Sequence, residues 1–124
     1  MNSLTIQKTD STPEISFLQK GEMTITGRSL PEDVHKFYDP IIDWVKMLSV
    51  ENVKVEIKLE YLNTSSTKKI LNLLIALDEN INIKDINVSW FYEFDDLEME
   101  DLGEIYASEL NRIKFQLVEG VDIF

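Results

Sequence analysis

The chain contains no cysteine and only one histidine, His35. Without thiols it can form neither disulfide bonds nor thiolate metal sites. Its four glycines and three prolines form no cluster typical of a linker, so we expect a single domain over residues 1–124. No apolar run approaches the roughly 18 residues that a membrane span needs, and residues 1–12 are too polar for the core of a signal peptide. We therefore expect a cytoplasmic protein.

The chain also lacks the motifs of common catalytic and nucleotide sites. It has no G-x-S-x-G nucleophile elbow, no G-x-G-x-x-G loop and no Walker loop. Asp95, Asp96 and Asp101 lack the glycine and the spacing of an EF-hand loop. His35 lies in a charged helical stretch, which favours a surface position. The sequence therefore predicts a protein that is not an enzyme and holds neither a metal nor a cofactor.

Basic residues are scarce as well. The chain has 12 Lys and Arg against 23 Asp and Glu, which gives a formal net charge of −11. Nucleic acids and anionic membranes repel such a chain, so we expect neither as a partner. Residues 93–109 hold eight of the acids and no Lys or Arg. A solvated helix face is the favoured interpretation of this run, and a docking surface for a basic partner is the alternative.

What is present is the hydrophobic patterning of an α/β domain. Residues 14–18 and 22–26 are predicted strands on either side of a hairpin turn at Lys20-Gly21. Residues 53–61 alternate apolar and charged side chains, Val53 to Tyr61 on one face and Lys54 to Glu60 on the other. A strand covered on both faces would be apolar throughout. We therefore expect a sheet with helices on one face and a largely open second face.

A helical region is predicted between these strands. Pro31 can open a helix at its first position, and Asp39 can cap a second segment that begins at Pro40. The apolar residues that follow have the spacing of an amphipathic helix. A kinked helix and two abutting helices fit this pattern equally well.

The second half of the chain continues the alternation of strands and helices. An apolar stripe from Ile70 to Ile81 predicts a helix, and alternation over residues 86–92 predicts a strand. Together with residues 53–61 they form a βαβ unit, which implies two parallel strands. The acidic run 93–109 is predicted as a helix and residues 114–118 as a last strand. The whole chain predicts an α/β fold with a mixed sheet of four to six strands.

A cluster of hydroxyl side chains, residues 64–67, follows the clearest strand and begins the next helix. Ligands and partners of α/β folds usually meet the chain at this edge of the sheet. The helix N-terminus would favour a phosphate there, and Lys68 and Lys69 add positive potential one turn later. In the alternative interpretation one hydroxyl caps the helix and the others are ordinary loop residues.

Several segments carry a family resemblance. Residues 61–68, Tyr-Leu-Asn-Thr-Ser-Ser-Thr-Lys, lie between a predicted strand and a predicted helix. Further matching segments are residues 11–15, 27–32, 38–44 and 90–93, then Asp95-Asp96, Met99 and Gly103-Glu104. In this order they resemble the SiaC family of bacterial regulatory phosphoproteins over about residues 11–106.

The resemblance implies a fold and a function. The fold would be similar to STAS domains of the anti-sigma-factor-antagonist type, with helices packed mainly on one face of the sheet. The family's phosphorylated threonine falls on Thr64, with Ser65 and Ser66 as alternatives. The implied partner-binding residues are Leu62, Asn63, Thr64, Ser65, Ser66 and Lys68.

The resemblance also implies partners. They are a Ser/Thr protein kinase with a histidine-kinase-like ATPase fold, a metal-dependent phosphatase of the PP2C type, and a diguanylate cyclase that the unphosphorylated form binds and activates. In the alternative function, the chain is an anti-sigma-factor antagonist whose target is an anti-sigma factor.

Overall fold

The computed structural model describes residues 1–121 and 123–124. Within them, six strands and three helices follow one another along the chain. They are β1 (Leu4–Ile6), β2 (Glu14–Phe17), β3 (Glu22–Ser29), α1 (Val34–Met47), β4 (Asn52–Leu62), α2 (Thr64–Asp78), β5 (Asp85–Glu93), α3 (Leu97–Glu109) and β6 (Lys114–Gly120). None of the helices in these residues is long and apolar enough to cross a membrane.

The strands form one mixed sheet in the order in which they occur, β1-β2-β3-β4-β5-β6. The pairs β1–β2 and β2–β3 are antiparallel, and the three pairs from β3 to β6 are parallel. Each parallel strand is added on the same side of its predecessor. Right-handed crossovers therefore place α1, α2 and α3 on the same face of the sheet. The expected α/β fold with a mixed sheet is confirmed.

The covered face of the sheet forms the core. Pairing aligns Ile15, Ile25, Ile57 and Trp90 in one row across four strands, and each is at most 1% exposed. On the opposite face the row through Lys54 remains exposed. The alternation predicted in the β4 region is thus confirmed, because one face is apolar and buried while the other is charged and open.

Tyr61 departs from this alternation. Its side chain is 47% exposed, so the expectation that it lies on the apolar face is wrong. The register between β3 and β4 shifts after Gly27, and Arg28 pairs with Tyr61 instead of Glu60. The extra residue, Glu60, reverses the side-chain direction beyond it, as a β-bulge does.

The first helical region is a single helix. α1 begins after Asp33, whose carboxylate accepts a hydrogen bond from the backbone N–H of Lys36 at 3.0 Å. The predicted helix start at Pro31 and the predicted second cap at Asp39 are both wrong. Pro40 lies inside the helix and is exposed. Water can therefore solvate the carbonyl that loses its partner at the proline.

Other boundaries differ from the predicted ones. α2 ends at Asp78, so Ile81 lies outside it and is 91% exposed instead of completing the apolar stripe. Residues 93–109 are only partly helical, because Glu93 ends β5 and α3 begins after its cap, Asp96. Strand β1 lies in the polar stretch of residues 1–12, ahead of the two predicted strands that begin at residue 14.

Candidate functional site

The candidate site lies at the edge of the sheet where the parallel strands end. The backbone N–H of Asn63 donates to the carbonyl of Ser29 at 2.9 Å, which ties the end of β4 to the end of β3. At the same edge, the N–H of Phe94 donates to the carbonyl of Gly120 at 2.9 Å, which ties β5 to β6. This edge therefore collects the segments that lead into α2 and α3.

Asn63 caps α2. Its side-chain oxygen accepts hydrogen bonds from the backbone N–H of Ser66 at 3.0 Å and from the hydroxyl of Ser65 at 3.2 Å. The interpretation in which one hydroxyl of residues 64–67 caps the helix is therefore wrong. An amide side chain one residue earlier satisfies the N-terminal donor, so the hydroxyls are not needed for this purpose.

Thr64 is the first residue of α2 and is exposed. Its hydroxyl forms no hydrogen bond with any residue that the structure describes. Lys68 is exposed one turn further along the same helix. The unsatisfied N–H groups and the dipole at a helix N-terminus favour negative charge there. Thr64 thus combines an accessible hydroxyl with the N-terminal end of a helix, where the helix dipole and Lys68 favour an anion.

The other three hydroxyls have different environments. Ser65 is exposed and bonded to Asn63. Thr67 is partly buried, and its hydroxyl donates to the carbonyl of Thr64 at 2.6 Å. Ser66 is 0% exposed. The four hydroxyls therefore do not form one equivalent cluster, and Thr64 and Ser65 are the more exposed of the four.

Ser66 belongs to a buried chain of hydroxyl groups beneath the site. Ser29 Oγ lies 2.5 Å from Tyr38 Oη and 2.8 Å from Ser66 Oγ, which in turn donates to the carbonyl of Ser29 at 3.2 Å. Burial raises the pKa of Tyr38 to about 12, so the phenol stays protonated and can donate. This chain joins α1, β3 and the first turn of α2. Sequence reasoning did not find it, because its members are remote along the chain.

The lysines after the cluster also differ. Lys69 Nζ lies 2.5 Å from Asp39 on α1, and this hydrogen bond lowers the pKa of Asp39. Lys69 therefore links two helices and contributes little free positive potential, contrary to the sequence interpretation. Arg28 supplies a cation that sequence reasoning missed, with its guanidinium carbon 5.8 Å from the ring centre of Tyr61. The shifted strand pairing brings these two residues together.

Thr64 also lines a groove of about 420 Å³ between the end of β4, the start of α2 and α3. We call it the acidic groove. Its lining residues are Glu60, Tyr61, Leu62, Thr64, Thr67, Asp96, Glu98, Met99, Asp101, Leu102 and Ile105. The acidic segment, 29 or more residues further along the chain, thus lies beside Thr64. Glu98 and Asp101 are exposed, as the preferred interpretation of this run as a solvated face predicts, and together with the partly buried Asp96 they also form part of the groove.

Two hydrogen bonds hold α3 at the groove. Tyr106 Oη donates to the carbonyl of Thr67 at 2.5 Å, which joins α3 to the first turns of α2. Trp90 Nε1 donates to the carbonyl of Met99 at 2.9 Å, which joins α3 to the sheet. The wall opposite Thr64 is therefore positioned by buried aromatic side chains.

Metal-ligating residues do not converge in the described part of the chain. No group of three or more His, Asp or Glu side chains within it is placed to hold a metal ion. His35 is exposed on α1.

Known proteins resemble this chain in sequence. The model of the SiaC family, described as regulatory phosphoproteins, matches residues 6–120. A curated but uncharacterized protein of Pseudomonas aeruginosa strain UCBPP-PA14 is 29% identical over 114 residues, which covers 88% of this chain and 90% of that protein.

Solved structures agree with the family match. SiaC of Pseudomonas aeruginosa has a TM-score of 0.82 with 26% identity, over 97% of this chain and 100% of that one. A chain from the crystal structure of the diguanylate cyclase SiaD in complex with its activator SiaC, from the same organism, has a TM-score of 0.77 with 26% identity, over 92% of this chain and 98% of that one.

Proposed function

Because the chain belongs to the SiaC family of regulatory phosphoproteins, we propose that phosphorylation of Thr64 switches its binding to a partner protein. The switch is not itself an enzyme. The observation that carries the assignment is the exposed first residue of α2, whose hydroxyl has no hydrogen-bond partner among the described residues. Asn63 already caps the helix, so a phosphate on Thr64 would displace no structural contact.

The alternative acceptors are less suitable. Ser66 is fully buried in the hydroxyl chain with Ser29 and Tyr38, and a kinase would have to unfold the first turn of α2 to reach it. Ser65 is exposed, but its hydroxyl donates to the capping Asn63. Modification of Ser65 would therefore disturb the cap, whereas modification of Thr64 would not.

Two of the proposed partners modify Thr64, and the third binds the unmodified form. A Ser/Thr kinase with a histidine-kinase-like ATPase fold adds the phosphate, and a PP2C-type phosphatase removes it. The unphosphorylated form binds and activates a diguanylate cyclase through the accessible residues around Thr64, which are Leu62, Asn63, Ser65 and Lys68. Ser66 is removed from the expected partner-binding set, because its side chain is 0% exposed and cannot touch a partner. Support for the cyclase comes from the similar SiaC chain that was solved in complex with the diguanylate cyclase SiaD.

Phosphorylation would act on the interface without refolding the domain. A phosphothreonine carries about −1.5 to −2 charges near neutral pH. The N-terminus of α2 and Lys68 can stabilise this charge while water surrounds it. A partner packed over Thr64 would have to remove that water, and burying an unpaired charge costs several kcal/mol. Because about 1.4 kcal/mol corresponds to tenfold in affinity, a micromolar complex would weaken to the millimolar range.

Intact-mass spectrometry after incubation with the kinase and ATP tests the proposal. We expect the wild-type chain to gain one phosphate and Thr64→Ala to gain none. Ser65→Ala is the matched control, since it removes the neighbouring exposed hydroxyl, and it should still be labelled. Undiminished labelling of Thr64→Ala would show that the acceptor is a different residue.

A further inference from the structure

We infer that the acidic groove is a docking site for an amphipathic segment of the partner protein, whose apolar side chains are flanked by Lys or Arg. The inference rests on the proposed function in one respect, because Thr64 lines the same groove. It adds the position of the surface on α3 and the chemistry of the segment that binds there.

The floor of the acidic groove is apolar and accessible. Tyr61 is 47% exposed and Ile105 is 56% exposed, and the less exposed Met99 and Leu102 also line the groove. Leu97, the first residue of α3, and Phe94, three residues before it, are also more than half exposed, but they do not line the groove. Most protein surfaces expose large apolar side chains only singly. Several such side chains exposed in one groove are typical of an interaction surface.

The walls of the acidic groove carry charge of one sign. Glu60, Asp96, Glu98 and Asp101 line it, and no Lys or Arg does. None of these four carboxylates forms a salt bridge with a residue that the structure describes. A partner that supplies cations on either side of an apolar contact would therefore complement both features of the groove.

A second groove of this protein provides a contrast. It lies between α1 and α2, and there the two cations Lys46 and Lys69 accompany the three acids Asp39, Asp43 and Glu79. Its exposed lining is mostly polar. Since cations already accompany the acids in that groove, the unbalanced charge next to Thr64 does not simply reflect the acidity of the whole chain.

The same geometry explains how a phosphate on Thr64 would release the segment. The phosphate would occupy part of the groove and retain its water, so apolar side chains of the partner could no longer reach Tyr61 and Ile105. Its charge would also attract the flanking cations of the segment. Exposed ion pairs contribute less to binding than the burial of large apolar side chains, so the loss of apolar contact decides the outcome.

Two synthetic peptides test the inference. The first is an 18-residue helical peptide with leucines at i, i+3, i+4 and i+7 and lysines flanking them, and the second replaces every lysine by glutamate. In ¹⁵N NMR titrations of the full chain, we expect the lysine peptide to shift residues of the acidic groove and the glutamate peptide to shift none. Binding of both peptides, of neither, or of the lysine peptide at the α1–α2 groove would contradict the inference.

Matched variants distinguish an effect of the carboxylates in the groove from an effect of the overall net charge. Glu98→Gln combined with Asp101→Asn should weaken binding of the lysine peptide about threefold or more. Glu104→Gln combined with Glu109→Gln removes the same charge from exposed positions of α3 outside the groove, and it should leave binding within about twofold. Equal weakening by both pairs would show that only the overall charge matters.

The apolar floor has its own control. Ile105→Ser should weaken binding of the lysine peptide, whereas Ile81→Ser, at a more exposed isoleucine outside the groove, should not. Light scattering of the free chain must show a monomer, because a dimer that is lost in Ile105→Ser would assign the groove to a second copy. The groove variants should still be phosphorylated on Thr64, so a failure of docking and a failure of the proposed switch give different results.

Discussion

Gly103→Ala is expected to destabilise the protein although alanine favours helices. A Cβ at Gly103 would lie 2.6 Å from Trp90 Cδ1, 2.9 Å from Trp90 Nε1 and 3.2 Å from Leu117 Cδ2. Trp90 is 1% exposed, and its Nε1 is bonded to the carbonyl of Met99, so the ring cannot move aside. α3 would have to shift outward, which would displace one wall of the acidic groove.

Two effects of opposite sign decide the magnitude. Alanine in the interior of a helix is favoured over glycine by about 1 kcal/mol, whereas overpacking a close contact costs about 1–3 kcal/mol and occasionally more. The shortest Gly103 contact involves a large rigid ring, so the cost falls in the upper part of that range. We expect a net loss of about 1–2 kcal/mol in the free energy of unfolding.

Urea denaturation followed by circular dichroism measures this difference. At an unchanged m-value, Gly103→Ala should unfold at lower urea concentration than the wild-type chain. Glu104→Ala, at the adjacent exposed position of α3, is the control and should change the free energy of unfolding by less than about 0.5 kcal/mol. A Gly103→Ala variant as stable as the wild type would refute the proposed close packing of α3 on Trp90.

Three further predictions follow from the structure. Thr64→Asp should reduce binding of the cyclase partner in calorimetry while its circular dichroism remains native, and equal binding by both forms would contradict the switch. Asp78→Asn should lower the free energy of unfolding by about 2–4 kcal/mol at pH 7, because a carboxylate that accepts hydrogen bonds from the backbone N–H groups of residues 111–113 is replaced by a neutral amide. Asn63→Ala should cost about 1 kcal/mol through loss of the cap on Ser66 N–H, and thermal unfolding would detect it.

Asp78 also predicts a pH dependence. Burial raises the pKa of Asp78, but the three backbone donors outweigh it and hold the pKa below its ordinary value. The stabilisation is therefore present above the pKa of an unfolded aspartate, about 3.9, and is lost as the pH falls through the lower folded value. The stability difference between wild type and Asp78→Asn should shrink below about pH 4. A difference that stays constant down to pH 2 would contradict this account.

Local patterns in the sequence predicted most of the fold. Period-two alternation in the β4 and β5 regions reflects a sheet with one buried face, and the stripe from Ile70 to Leu77 reflects a helix packed on that face. The pattern failed where longer-range contacts decide a boundary. Ile81 continues the apolar stripe in sequence, but α2 ends at Asp78, and there the guanidinium of Arg112 donates to the backbone carbonyls of Asp78 and Asn80.

The helix at Pro40 shows the same limit. Proline removes one intrahelical hydrogen bond and usually ends or kinks a helix. In α1 the buried residues Tyr38, Ile41, Ile42 and Val45 lie on both sides of the proline. Continuing the helix buries all of them against the sheet and α2, and this gain outweighs one lost hydrogen bond. The helix propensities of individual residues carry no information about how much apolar surface the continued helix buries.

At the candidate site, the sequence by itself determined which residues follow the central strand and begin the next helix, and the family resemblance pointed to Thr64. It could not distinguish the four hydroxyls from one another. Only the tertiary structure shows that Ser66 is buried with Ser29 and Tyr38, 37 and 28 residues away, while Thr64 is exposed.

The acidic segment, residues 93–109, also shows what the sequence determines and what the fold determines. The excess of acids in residues 93–109 is a property of the sequence, and so is the exclusion of polyanionic partners. Their position beside Thr64 is a property of the fold. Parallel strands β4 and β5 end at the same edge of the sheet, so the helices that follow them, α2 and α3, begin side by side. Chain topology therefore decided which charges meet the hydroxyl, because spacing along the sequence does not encode proximity across a sheet.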